Sequence, residues 1–229
     1  MATHSPPNSC NVLQVGSDRR RLWRFATGGG KAELSADLAD KPNKPLPAKH
    51  VVKDWTALLE SKLNIAWLPA DQVFLRVIQL PKCDEAELRA MVELQLEKLS
   101  PLPVAQIVWS FEIIPQQGAA PTEEQTFVVV IVARQVVEHF LGQLEGKGYL
   151  ADYLELPFLH QLRATQVDAD GAWLFPQAEE GGRATCLIAW WYGGTLRQLG
   201  LAHLTAPGHW PQDIGEQLTK TAWAGELEG

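Results

Sequence analysis

Residues 127–156 read FVVVIVARQVVEHFLGQLEGKGYLADYLEL, and the fold class turns on them. Phe127 to Val132 is an unbroken apolar, largely β-branched run, as a strand covered on both faces requires. It feeds directly into a helical stretch from Arg134 to Gly146, and Tyr149 to Leu156 returns as a second strand. A strand, a helix and a strand within about thirty residues form a βαβ unit, so the sequence predicts a parallel pair with a right-handed crossover. The class read from it is α/β.

Towards the N-terminus, Ile107 to Ile114 reads as a further strand, and the Gln, Gly, Ala and Pro of Gln116 to Glu124 as a loop. From Asp84 to Leu99 the apolar residues Leu88, Met91, Val92, Leu96 and Leu99 form one helical stripe. Asp84, Glu85 and Glu87 occupy its first turn, where the helix dipole favours negative charge, and Pro101 and Pro103 stop it. Gln72 to Leu80 is a strand bracketed by Pro69 and Pro81. Val51 to Leu63 carries apolar residues at three- and four-residue spacing, which predicts an amphipathic helix. Thr27 to Lys49 holds a Gly triplet and three Pro and predicts a mobile loop. Asn11 to Val15 and Leu22 to Phe25 are joined by a polar turn and read as a hairpin.

Towards the C-terminus, Pro157 to Ala164 is a short helix, followed by the Gly- and acid-rich stretch Asp168 to Gly182. Thr185 to Tyr192 and Thr195 to His203 flank Gly193-Gly194, a hairpin signal because both central positions can take positive φ. Asp213 to Trp223 reads as a helix. A hairpin plus a helix opens a second sheet domain without completing it, so residues beyond about 166 read as half of one.

The composition narrows the function classes. A net charge of −7 sets up a field that repels phosphate backbones, which argues against nucleic acid as a partner. The basic cluster Arg19 to Arg21 with Arg24 reads as a solvated turn between strands. Cys10, Cys83 and Cys186 are odd in number and far apart, which suits reduced thiols and a cytoplasmic address. The start of the chain lacks the basic and apolar regions of a secretory signal, and the apolar runs are too short to span a bilayer. Most of the nine Trp read as core or interface.

The stretch Trp67-Leu68-Pro69-Ala70-Asp71-Gln72-Val73, continued by Arg76-Val77-Ile78-Gln79-Leu80-Pro81, resembles an element of the PilM and GspL families. These are actin-like proteins at the inner face of type IV pilus and type II secretion machines. The resemblance runs on through the Asp84 to Leu99 helix, Val129 to Ala133 with Gln135, Val136 and Val137, Gly148-Tyr149-Leu150, and Leu154 to Arg163. It covers roughly residues 11–223, and the order of these elements carries it rather than any one motif.

The resemblance implies an actin-like ATPase fold, ribonuclease H-like, with a mixed sheet and flanking helices. Residues 1–166 would form the first subdomain, with a small αβ insertion at about 67–125, and 167–229 the start of an incomplete second. It also implies two Asp-x-Gly hairpins that grip nucleotide phosphates, the Asp holding the magnesium shell and the Gly admitting backbone amides. The first falls at Gln14-Val15-Gly16-Ser17, with Gln14 in place of the carboxylate. A neutral amide does not balance Mg²⁺. The second falls at Ala189-Trp190-Trp191, with Ala189 for the Asp and an indole, Trp191, for the Gly.

Other chemistry is thinner. Gly28-Gly29-Gly30-Lys31 lacks the leading Gly and the Ser or Thr of a P-loop. Gly146-Lys147-Gly148 is a helix C-cap. His4, His50, His139, His160, His203 and His209 show no metal spacing. Cys83, before a helix, is the one candidate nucleophile and reads as an ordinary thiol. A ribonuclease H-like enzyme would need a carboxylate cluster on the first strands, which offer only Asp18, in the turn.

The expectation is therefore a non-enzymatic cytoplasmic scaffold without cofactor or metal, at the inner face of the inner membrane. It would link a platform protein's cytoplasmic tail to the motor ATPase by protein contacts, with a homodimer as a further option. The alternative is an actin-like ATP-binding protein with relocated metal ligands. The resemblance also implies a peptide-receiving groove at the inserted subdomain, with Leu88, Met91, Val92 and Leu96 as candidates; their plainer reading is packing on their own sheet.

Overall fold

In the computed structural model, which describes residues 7–28, 31–51, 62–117, 123–178 and 184–228, the chain divides into two compact units. The first joins Met1–Pro69 to Val137–Leu156, and the second joins Ala70–Val136 to Pro157–Gly229.

The first unit is built on a five-stranded sheet. β1 (Ser9–Val15) pairs antiparallel with β2 (Arg20–Gly28), which pairs antiparallel with β3 (Lys31–Asp40). On its other side β1 pairs parallel with β4 (Lys62–Trp67), and β4 pairs parallel with β8 (Tyr153–Glu155), giving the order β3-β2-β1-β4-β8. The sheet is mixed, as expected. Leu13, Leu22 and Ala66 are buried in adjacent register on it, with Leu46 and Val51 from the segment around α1 (Ala48–Val51) also buried. The expected hairpin is there, but two neighbouring expectations fail. Thr27 to Lys49 is not one loop, since Lys31 to Asp40 is strand; β3 is exposed along nearly all its length, so it carries no apolar signature. Arg20 is not solvated but buried, its Nη2 donating to Pro45 O at 2.9 Å. The helix expected over Val51 to Leu63 lies mostly at 52–61, outside the described residues, and Lys62 and Leu63 belong to β4.

The second unit contains two three-stranded sheets. In one, the order is β5-β7-β6, with β5 (Val73–Pro81), β7 (Glu124–Ala133) and β6 (Ile107–Ile114) all antiparallel. This corrects the parallel pair expected from residues 127–156. β7 is the central strand of an antiparallel sheet, and α3 (Arg134–Glu145) leads not to a neighbour in that sheet but to β8. The apolar run signalled burial on both faces correctly and direction wrongly: a central antiparallel strand buried on both sides has the same composition as a parallel one. α2 (Glu85–Leu99) packs on one face, where Leu88, Val92 and Leu96 meet Ile78, Leu80, Ile107, Phe127, Val129 and Ile131.

α4 (Pro157–Ala164), placed as expected, precedes the other sheet, ordered β11-β10-β9 and antiparallel throughout. Its strands are β9 (Gly171–Ala178), β10 (Ala184–Tyr192) and β11 (Thr195–Leu204). β9 was hidden in the Gly- and acid-rich stretch by Gly171 and Pro176. Between β10 and β11, Gly193 and Gly194 take φ of 59° and 70°, the left-handed pair that a two-residue hairpin turn needs. α5 (Trp210–Glu228) covers one face of this sheet: Trp210, Ile214 and Leu218 pack against Ala184, Cys186, Ile188, Ala202 and Leu204.

Candidate functional site

The first candidate site is the β1–β2 corner. Val15 pairs with Arg20, and Gly16 N donates to Arg19 O at 2.9 Å to close the intervening turn. Gly16 is not among the glycines with positive φ, so its backbone here is one that other residues also adopt. Ser17 is exposed, and Gln14 is half-buried opposite Arg21. Arg21 Nε and Nη2 donate to both carboxylate oxygens of Asp37, at 2.8 and 2.6 Å. Its guanidinium also lies 5.1 Å from the Trp23 ring centre, and Trp23 in turn lies 4.9 Å from Trp67. The hydrogen bonds from Arg21 hold the Asp37 carboxyl below the usual carboxylate range. The corner therefore presents an uncharged amide at Gln14, while Asp37, on β3 across the β2 ladder, has both oxygens taken by Arg21.

Ala189 and Trp191 lie on β10, the central strand of its sheet, and both are fully buried. Trp191 sits beyond a register shift, opposite Leu196 on one side and Gly171 on the other. Its indole N–H has no acceptor among the described residues. Neither side chain stands in a turn; the turn that ends β10 is Gly193-Gly194, where Gly193 N donates to Asp170 Oδ1 at 2.8 Å.

Of the four groove candidates, Leu88, Val92 and Leu96 are buried in the α2 core and Met91 is half-buried against it. The structure brings these side chains together, facing their own sheet. The outward side of α2 instead carries Leu94, 83% exposed. Arg76, from the stretch that carries the family resemblance, acts locally, its Nε donating to Leu99 O at 3.0 Å and so capping the C-terminal end of α2. At the other end Asp84 Oδ1 accepts from Glu87 N at 2.9 Å, an N-cap.

Burial, then the negative charges of Glu87 and Asp84, push the Cys83 thiol up, and its Sγ lies 3.8 Å from Met91 Sδ. A protonated thiol beside acidic residues is a poor nucleophile. Gly148 at φ 79° closes the end of α3, its N donating to Glu145 O at 2.8 Å, so that Gly-rich stretch is a helix cap.

One polar cluster escaped the sequence reading. Asn11 Nδ2 donates to Asn64 Oδ1 at 2.8 Å, and Asn64 Nδ2 donates to Val51 O at 3.0 Å and Leu150 O at 3.1 Å. Asn64 N donates to Asp152 Oδ2 at 2.7 Å, and the buried Tyr149 hydroxyl reaches Ile65 O at 2.7 Å and Asn11 O at 3.1 Å. These groups tie β1 and β4 to the segment before β8. The available signal was two Asn placed at inward positions of β1 and β4, alongside Leu13 and Ala66.

No family model matches the sequence, and no curated protein matches it. Among solved structures, the chain is similar to one of the PilM-PilN type IV pilus biogenesis complex, with 22% identity and a TM-score of 0.61, over 89% of this chain and 64% of that chain. It is also similar to the cytoplasmic domain of EpsL, an inner membrane component of the type II secretion system of Vibrio cholerae. There the identity is 15% and the TM-score 0.45, over 85% of this chain and 71% of that one. A Bacteroides thetaiotaomicron protein with an actin-like ATPase fold matches at 9% identity and a TM-score of 0.46, over 93% and 78%. The likeness to the pilus-complex chain shows the fold, which is the actin-like one. This chain spans 64% of that protein's length. Among the described residues, no helix is long and apolar enough to cross a membrane.

Proposed function

We propose that this chain is a non-catalytic scaffold of a type IV pilus or type II secretion platform, working at the inner face of the inner membrane. It binds the cytoplasmic tail of a membrane component and the motor ATPase through protein contacts. The observation that supports the reading is the β1–β2 corner, where Gln14 stands at the position that the family resemblance gives to a metal-balancing carboxylate; Asp37, on β3, is engaged through both oxygens by Arg21. A Mg²⁺-triphosphate needs acidic oxygen ligands, and a carboxylate committed to a guanidinium is a poor one.

A second phosphate hairpin, if it follows the strand order of the first, would fall at another place than Ala189-Trp190-Trp191. In the first unit the Gly16 turn joins the first and second strands of the antiparallel run β1-β2-β3. The matching run in the second unit is β9-β10-β11, so the matching position falls at 179–183, outside the described residues, and Ala189 and Trp191 lie on the second strand. The proposal therefore rests on the first corner rather than on crowding by Trp191. It draws further support from the fold shared with the pilus-complex chain.

Calorimetry with Mg-ATP is the test against a nucleotide-binding role. No dissociation constant below about 100 μM, or roughly −5.5 kcal/mol, is expected, and tighter binding overturns the reading. A platform protein's tail peptide, titrated in the same way, is expected to bind at about micromolar strength. Silence from both that peptide and the motor's N-terminal domain would remove the scaffold role.

A further inference from the structure

The outer strands of the three sheets are not equally open. An unpaired strand edge is a template for another strand, and proteins commonly block it with bulges, prolines, charges or shortness. β3 carries a register shift that leaves Ser35 out of the pairing, and four charged residues, Lys31, Glu33, Asp37 and Asp40. β8 is three residues long. β9 has Pro176 opposite Cys186, which deletes a backbone donor in mid-strand. β5 and β11 lie against each other, and Gln79 Nε2 donates to Leu196 O at 3.1 Å.

β6 has no bulge, proline or shortening; α4 approaches it, Arg134 Nη2 donates to Ile107 O at 3.1 Å, and Glu112 pairs with Arg163. Its eight residues, IVWSFEII, pair with β7 in unbroken register, contain no proline and include one charge, Glu112. Val108 and Ile113 are 38% and 43% exposed, and Ser110 is exposed as well. Aromatic and β-branched residues in a regular outer strand favour further pairing.

We infer that β6 pairs antiparallel with β6 of a second copy of this chain, joining two three-stranded sheets into one of six. The sequence of β6 is self-complementary about Phe111. A two-fold axis there sets Phe111 against Phe111 and Trp109 against Ile113 of the second copy. On the other face it sets Val108 against Ile114 and Ser110 against Glu112. This register keeps each face of the sheet continuous, because it pairs odd with odd and even with even positions. Apolar groups meet apolar groups, and the carboxylate, already paired with Arg163 of its own chain, faces a hydroxyl, so no like charges face each other. The occupant is thus a second copy, and the inference does not depend on the platform role.

Sedimentation or light scattering over a concentration series tests it. The wild-type chain is expected at twice its mass of 25.4 kDa at about 100 μM. Val108→Glu, at an exposed position, brings two further acids to the seam near Glu112 and weakens self-association by about tenfold or more. The variant's thermal melt, read alongside, is expected to match the wild type. Amide hydrogens of β6 gain protection on dimerisation in the wild type only. A single-chain mass throughout, or a Val108→Glu chain that dimerises as tightly as the wild type, overturns the inference.

Discussion

Tyr149 shows how one residue joins strands that are far apart in sequence. Its one hydroxyl proton lies between backbone carbonyls of β1 and β4, with Ile65 O at 2.7 Å the nearer acceptor and Asn11 O at 3.1 Å, and burial pushes its ionisation up, which keeps it a neutral donor. Removing the hydroxyl takes that one donor from the buried carbonyls, and an unsatisfied buried polar group costs about 1–3 kcal/mol. Tyr149→Phe is therefore expected to lower stability by about that amount in urea titration, and an unchanged midpoint would show that water replaces the hydroxyl. The residue scale is also where the sequence spoke least. Gly148-Tyr149-Leu150 was legible as part of a family pattern, but the partners of Tyr149, Asn11 and Asn64 lie up to 138 positions away. No local periodicity encodes such a meeting.

Elements were legible where their own composition decided them. α2 announces itself by its apolar stripe, its Asp84 cap and the prolines after it, and it forms from Glu85 to Leu99. α4 and the Gly193-Gly194 hairpin were equally clear, because Pro starts one and paired positive φ closes the other. β3 was not legible: KAELSADLAD is poor in β-branched residues and holds strand geometry through its ladder to β2. The groove candidates show the same limit from the other side. An apolar stripe on a helix says that something covers it, and here the cover is the chain's own sheet. Leu96→Ala is accordingly expected to cost about 2–5 kcal/mol, and Leu94→Ala close to nothing. Equal effects of the two, read from denaturation midpoints, would mean that α2 faces the other way.

At the scale of the whole molecule, acidity acts on both units through paired carboxylates. Arg21 holds Asp37 down and Lys44 holds Asp40 down, in the first unit. In the second, the backbone N–H of Thr205 does the same for Asp213. A carboxyl whose folded value lies below its unfolded one adds stability above the unfolded value, and that stability is lost as pH falls through the folded value. Denaturation midpoints are thus expected to hold steady from neutrality down towards the ordinary value of 3.8 and to fall below it. Asp37→Asn and Asp213→Asn should each flatten the fall. The topology of the whole was only partly legible. The resemblance gave the actin-like fold, whereas the direction of β7 depends on neighbours that composition does not name.

The two units are interleaved along the chain, crossing at 69/70, 136/137 and 156/157. On the ribosome, β1 to β4 emerge early but must wait for residues 153–155 before their sheet gains its fifth strand, while the β5-β7-β6 sheet is already complete. Synthesis at about 5–20 residues per second leaves that first sheet open for seconds. Neither unit can be released by a single protease cut or expressed as one uninterrupted fragment, so the pair is inherited, made and degraded together.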